Sequence, residues 1–152
     1  MTSSLRERLL DRLGDVAAAP APGAARQPTP AMLLGLRGER IAERYLREKG
    51  WRVLQRRFRS GHRDVDLIVE RRGTVAFVEV KTRTGTTFGS PVDAVNWFKQ
   101  RQLVKSAHVW VSRFGRSQEL YRFDVVGVWI LGDRVRVRHV EGAFELPARN
   151  GF

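Results

Sequence analysis

A chain of 152 residues with 28 Lys and Arg against 16 Asp and Glu carries a formal charge of +12, and its pI near 11.4 points to a polyanionic partner. Its length suits one domain with one core. The absence of cysteine excludes a disulfide framework, a thiolate nucleophile and cysteine-ligated zinc, and His62, His108 and His139 are too scattered to build a metal site. No run of about 18 apolar residues is present to span a membrane. The Val-Ala run at 16–19 is broken by Pro20 and Pro22 before it can serve as a signal peptide, so the expected location is the cytoplasm.

Residues 1–31 read as an extension, disordered or weakly helical. Ser4 and Glu7 form a capping box for a short helix carrying Leu5, Leu9 and Leu13, and the Ala/Pro/Gly-rich stretch 17–30 reads as a linker. The folded domain is expected over 32–142, with 143–152 as a tail. At 100° per residue, Leu34, Gly38, Ile41, Ala42, Tyr45 and Leu46 gather on one arc of a first helix, with Arg37, Arg40, Arg44 and Arg47 opposite. Glu39 falls at the border of the apolar arc, where it is either an exposed acid favoured by the helix dipole or a side chain reaching over the sheet edge. Gly50 ends the helix, and 51–58 reads as a first strand.

Strands at 64–70 and 74–81, rich in β-branched and aromatic residues, follow around a turn at Arg71-Arg72-Gly73. With Arg72-Gly73 at the tip, Asp66 faces Glu79 on one side of an antiparallel pair, with Cβ atoms roughly 5 Å apart, and Lys81 shares that side. Two adjacent carboxylates repel each other unless a cation sits between them. Hard divalent ions such as Mg²⁺ or Mn²⁺ take a few carboxylate oxygens and leave room for water and phosphate. Lys81 adds a charge suited to holding a water or a phosphate. The pattern is that of a phosphodiester-cutting site.

A Thr/Gly-rich loop is expected over 82–89. A second long helix is expected to start at Ser90-Pro91-x-Asp93, with serine as cap and proline in the first position, and to bury Val92, Val95, Leu103, Ala107 and Trp110. Lys99 projects from that apolar face, either snorkelling to water or reaching a phosphate at the carboxylates. A final hairpin, 121–131 and 134–140, turns at Gly132-Asp133, and Asp124 within it reads as a structural partner for an arginine. The order αβββαββ predicts an α/β fold, a mixed sheet flanked by helices.

The Asp-x(n)-Glu-x-Lys spacing on a hairpin resembles the PD-(D/E)xK nuclease superfamily, with its restriction-endonuclease-like fold. Gly38-Glu39, Ala42, Tyr45-Leu46, Gly50-Trp51, Asp64-Val-Asp-Leu-Ile68, Phe77-Val-Glu-Val-Lys-Thr-Arg83, Gly89-Ser-Pro, Asp93-Ala-Val95, Lys99 and Arg122-Phe-Asp-Val-Val126 occur in order. Together they resemble the YraN-like bacterial family, which is similar to Holliday-junction resolvases, over roughly residues 35 to 128. The chain departs from that family at Arg63-Asp64, where Gly-Glu is usual. The resemblance implies a Mg²⁺- or Mn²⁺-dependent endonuclease acting on branched or damaged DNA, with Asp66, Glu79 and the Val80 carbonyl holding the metal and Lys81 orienting the attacking water. It also implies site roles for Glu39 and Lys99, and a homodimer by analogy with resolvases. The alternatives are a nucleic-acid-binding accessory protein with little cleavage and an RNA-processing nuclease. Between Arg37 and Arg63 ten Lys and Arg face three Glu, so Arg40, Arg44, Arg47, Arg56 and Arg57 are the expected phosphate contacts.

Overall fold

The computed structural model describes residues 26–87 and 89–145; the expected helix at 5–13 lies outside them. Helix α1 spans Pro30–Glu48. Thr29 Oγ1 accepts the Met32 N–H at 3.2 Å, and Pro30 takes a first-turn position where no N–H is needed. This Thr-Pro start lies within the stretch expected to be linker, so the helix begins two residues before Met32. Its buried residues are Gly38, Ala42 and Leu46, all on the expected arc.

Five strands follow in spatial order β1-β2-β3-β4-β5: β1 Arg52–Ser60, β2 Arg63–Arg71, β3 Thr74–Thr84, β4 Leu120–Leu131 and β5 Arg134–Phe144. The β2–β3 turn is the two-residue tip expected. Arg72 and Gly73 both have positive φ, 51° and 79°, the backbone that matches the twist of a hairpin. Only β3 and β4 run parallel, because a crossover helix, α2 (Trp97–Phe114), connects them.

The helices cover opposite faces of this mixed sheet. α1 brings Ala42 and Leu46 onto Leu67, Val69, Ala76, Val78, Val126 and Val128. α2 brings Leu103, Ala107 and Trp110 onto Phe58, Val65, Phe77, Phe123 and Val125. The α/β expectation therefore holds in both element order and layering. Among the described residues no helix is long and apolar enough to cross a membrane.

Other boundaries differ from expectation too, and β5 runs to Phe144, past the expected end at 140 and into the expected tail. The 82–89 stretch is not all loop, since Thr82, Arg83 and Thr84 continue β3 by pairing with Val128, Trp129 and Ile130. The second long helix does not start at Ser90. The Asp93 N–H bonds the Ser90 carbonyl at 3.2 Å, closing one 3-10 turn at Val92–Ala94. Val95 then leaves helical geometry at φ −106°, ψ 88°. Asn96 is the cap that starts α2, its Oδ1 accepting the Lys99 N–H at 2.9 Å. Asp124 is structural, as expected: it is fully buried and bonded to Arg122, His139 and the Gly142 N–H.

Candidate active site at a fork between two strands

β2 and β3 pair from Arg71–Thr74 to Leu67–Val78. Beyond that point β2 stays with β1, to Arg63 opposite Ser60, and β3 stays with β4, to Thr84 opposite Ile130. The sheet therefore opens into a fork, and Asp66 and Glu79 are the first residues on its two sides. Asp66 Oδ2 accepts the Val80 N–H at 2.7 Å, so a side chain satisfies a backbone donor that would otherwise need a ladder partner.

The sequence expectation of plain alternation fails at this place. Leu67 packs on the α1 side and Val65 on the α2 side, although residues two apart on a regular strand share a face. The neighbouring strand turns over at the same level. Arg56 and Arg57, adjacent in sequence, both reach acids of α1. Arg57 does so from a left-handed backbone, φ 46°, which is uncommon for a residue with a Cβ. The Arg57–Asp66 pair drops out of the ladder between Arg56–Leu67 and Phe58–Val65. Counting from the turn does put position 66 beside 79, but in an opened sheet rather than inside a regular pair.

Glu79 is 3% exposed and lies between two ammonium groups. Lys81 Nζ is 3.1 Å from Oε1, and Lys99 Nζ is 3.3 Å from Oε2. Lys99 also lies 3.7 Å from Asp64 Oδ1, which adds an acid that the sequence reading did not place in the site. Its signal was available, two positions before Asp66 on the same strand. Glu79 Oε2 is buried and accepts no aligned hydrogen bond.

Burial, then the charge of Glu79, pushes the Asp66 carboxyl from 3.8 up to about 7; Glu39 adds to the rise, while the Val80 N–H and Lys99 oppose it. For Lys99, burial favours the neutral amine, but Glu79, Asp66 and Asp64 outweigh it, so its pKa is raised. Glu39 comes near because α1 sits close to β3 at Gly38, where a Cβ would overlap the Thr82 side chain. Arg57 holds the Glu39 carboxylate by two bonds, of 2.8 and 3.0 Å. Asp66, Glu79, Lys81, Lys99 and Glu39 are thus gathered at one fork. Among the described residues no three His, Cys, Asp or Glu side chains form a ready-made metal cage.

The expected phosphate contacts are less uniform. Arg47 and Arg56 pair with Glu43 and Arg57 with Glu39, leaving Arg40 and Arg44 as the exposed members of that set without an ion pair among the described residues. Another basic surface lies on the α2 side of the sheet, beyond the fork. Arg138 pairs across Gly127 with Lys81, and Arg136 across Trp129 with Arg83. The alternating Arg134-Val-Arg-Val-Arg138 was its sequence signal, since a strand puts all three arginines on one face.

A family model described as "Uncharacterised protein family UPF0102" matches residues 38–128, a span that includes every residue of the fork. UPF0102 protein GSU0650 of Geobacter sulfurreducens is 43% identical over 115 residues, 75% of this chain and 90% of its own. UPF0102 protein RHA1_ro06551 of Rhodococcus jostii is 42% identical over 114 residues, 74% of this chain and 97% of its own. A UPF0102 protein of Pelobacter propionicus is 38% identical over 135 residues, 82% and 96% of the two chains.

Proposed function

Since the chain belongs to the uncharacterised protein family UPF0102, its activity must be read from the site, and we propose a metal-dependent endonuclease that hydrolyses phosphodiester bonds in branched or damaged DNA. The PD-(D/E)xK superfamily is its proposed relation. The observation that carries this reading is the pair Asp66 and Glu79, sunk in a fork of the sheet with Asp66 raised to about 7. Keeping two acids in mutual repulsion costs stability, and such perturbed groups concentrate at functional sites.

The donor set fits a hard divalent cation. Asp66 and Glu79 supply carboxylate oxygens, and Glu79 Oε2 is buried without an aligned hydrogen bond. On an extended strand the N–H and C=O of one residue face the same edge, so the Val80 carbonyl is turned toward Asp66 as well. Two carboxylates with a backbone oxygen match Mg²⁺ or Mn²⁺, which keep several waters of their own. A bound ion would polarise the scissile phosphate and offset the charge that develops on it. Lys81, beside Glu79, orients the attacking water and assists removal of its proton. Lys99, on the other oxygen of Glu79, is placed to meet a phosphate oxygen. Glu39, restrained by Arg57, positions a further water. The duplex backbone would approach over Arg83, Arg136 and Arg138, with Arg40 and Arg44 as outlying contacts.

One observation favours a second reading, a nucleic-acid-binding accessory protein with little cleavage: Glu79 is already neutralised by Lys81 and Lys99. The test is incubation with linear, single-stranded, flapped and four-way-junction DNA, with and without Mg²⁺ or Mn²⁺. The nuclease reading expects metal-dependent nicking abolished by chelation. Binding without cleavage on every substrate would favour the accessory reading.

A further inference from the structure

Helix α2 begins with two large aromatic side chains in water. Trp97 is 67% exposed and Phe98 65%, although burying such rings is favourable. The packed side of the helix is carried by Leu103, Ala107 and Trp110, so Trp97 and Phe98 are not displaced core residues. Cations stand beside Trp97: the Arg101 guanidinium lies 4.6 Å from the centre of its ring, and a groove of about 510 Å³ runs from Trp97 past Arg101 and Lys105 to Phe144, with Glu145 at its lining. Lys99, about 160° round the helix from Trp97 at 100° per residue, ends 3.3 Å from Glu79, so one turn of α2 presents Trp97 on one side and a lysine at the proposed site on the other.

Exposed rings interleaved with cations form the surface on which single-stranded nucleic acid stacks its bases while its phosphates meet positive charge. We propose that Trp97 and Phe98 are a stacking platform for unpaired bases of a DNA strand whose phosphate enters the Asp66–Glu79 fork. This rests on the nuclease reading for the strand's course, but the platform itself is a binding site independent of cutting. In an intact duplex the base faces are occupied by their neighbours, so the platform grips only frayed, flapped or branched DNA. A second copy of this chain is the poorer occupant, because Arg101 and Lys105 of a +12 protein would meet like charge.

The test uses the full chain in EDTA, where no metal-dependent cleavage interferes. A 12-nucleotide single strand containing 2-aminopurine and the corresponding duplex are titrated with wild type, the Trp97→Ala/Phe98→Ala double variant and the ring-preserving Trp97→Phe/Phe98→Tyr variant. Sedimentation velocity is run on the wild type and the double alanine variant. Wild type should quench the 2-aminopurine. The double alanine variant should lose the quench and roughly tenfold or more in single-strand affinity, with duplex affinity held within about twofold because phosphate contacts remain. The ring-preserving variant should behave as wild type. Equal losses on both DNAs, or no loss on either, would overturn the platform and leave the nuclease reading standing. Unchanged DNA binding with a wild-type dimer dissolved by the double variant would reassign the patch to self-association. A wild type that binds neither DNA would sink the nuclease reading and the platform together.

Discussion

Asp66→Asn separates what the fork costs in stability from what it does in function. The isosteric amide removes the charge but can still accept the Val80 N–H. Raising the carboxyl from 3.8 to about 7 is a shift of roughly three units, on the order of 4 kcal/mol. That is a ceiling, because the amide accepts a weaker hydrogen bond than a carboxylate. The sign follows from proton linkage. Well below pH 3.8 Asp66 is protonated in both the folded and unfolded states, and its ionisation has no effect. Between pH 4 and 7 the folded state holds the proton while the unfolded chain releases it, so stability falls as pH rises; above 7 the full cost is present. Asp66→Asn escapes this loss. In EDTA its stability relative to wild type should be smallest around pH 4.5, where about a quarter of the cost is already present, and climb to a plateau of about 1–3 kcal/mol above pH 7.5, or roughly 5–10 °C in Tm. Thermal unfolding by circular dichroism from pH 4.5 to 8.5 measures the difference. A difference that does not change with pH, or a variant less stable than wild type at pH 8, would refute a half-buried, charge-repelled Asp66.

Three other predictions concern the surroundings. Mg²⁺ or Mn²⁺ should stabilise wild type more at pH 8 than at pH 5.5, because the ion must displace the Asp66 proton, and should leave the Tm of Asp66→Asn nearly unchanged; metal titrations at the two pH values check this. Reversing Arg83, Arg136 and Arg138 to Glu should weaken DNA binding at every sequence and flatten its salt dependence by about three phosphate contacts. Reversing Arg56 and Arg57 should act mainly on stability, since Glu39 loses its partner and Glu43 keeps only Arg47; fluorescence anisotropy across a salt series, beside melting curves, separates the two. Gly38→Val should push α1 off Thr82, costing about 1–3 kcal/mol and lowering activity by displacing Glu39, measurable as a reduced Tm and cleavage rate.

The elements were legible because their periodicity and punctuation were local. The arc around Ala42 and Leu46, the Arg72-Gly73 tip and the Gly132-Asp133 turn each depend on a few neighbouring residues. The start of α2 was misread because Ser90-Pro91 and Asn96 both carry cap chemistry, and the tertiary need to bury Val95 in extended backbone decided for Asn96. Within the site, counting from the turn was enough to bring 66 beside 79. The fork was not legible, since nothing in Arg57 or Asp66 announces that both strands turn over there. Arg56 and Arg57 of β1 hold ion pairs that the sequence hides, because their partners Glu43 and Glu39 lie 13 and 18 residues away. The pattern Arg134-Val-Arg-Val-Arg138 was visible, but its nearness to Lys81 depends on the parallel crossover that sets β4 and β5 beside β3.

The central claim is that Asp66, Glu79 and Lys81 form a metal-dependent phosphodiester-cutting centre. Its most direct test is single-turnover cleavage of a four-way or flapped DNA in Mn²⁺ or Mg²⁺ by wild type, Glu79→Gln and Lys81→Ala, each at a concentration that saturates the DNA. The account predicts cleavage by wild type that EDTA abolishes, and a loss of at least about a hundredfold in either variant with DNA affinity retained. Cleavage that survives Glu79→Gln would contradict it and place the chemistry outside the fork.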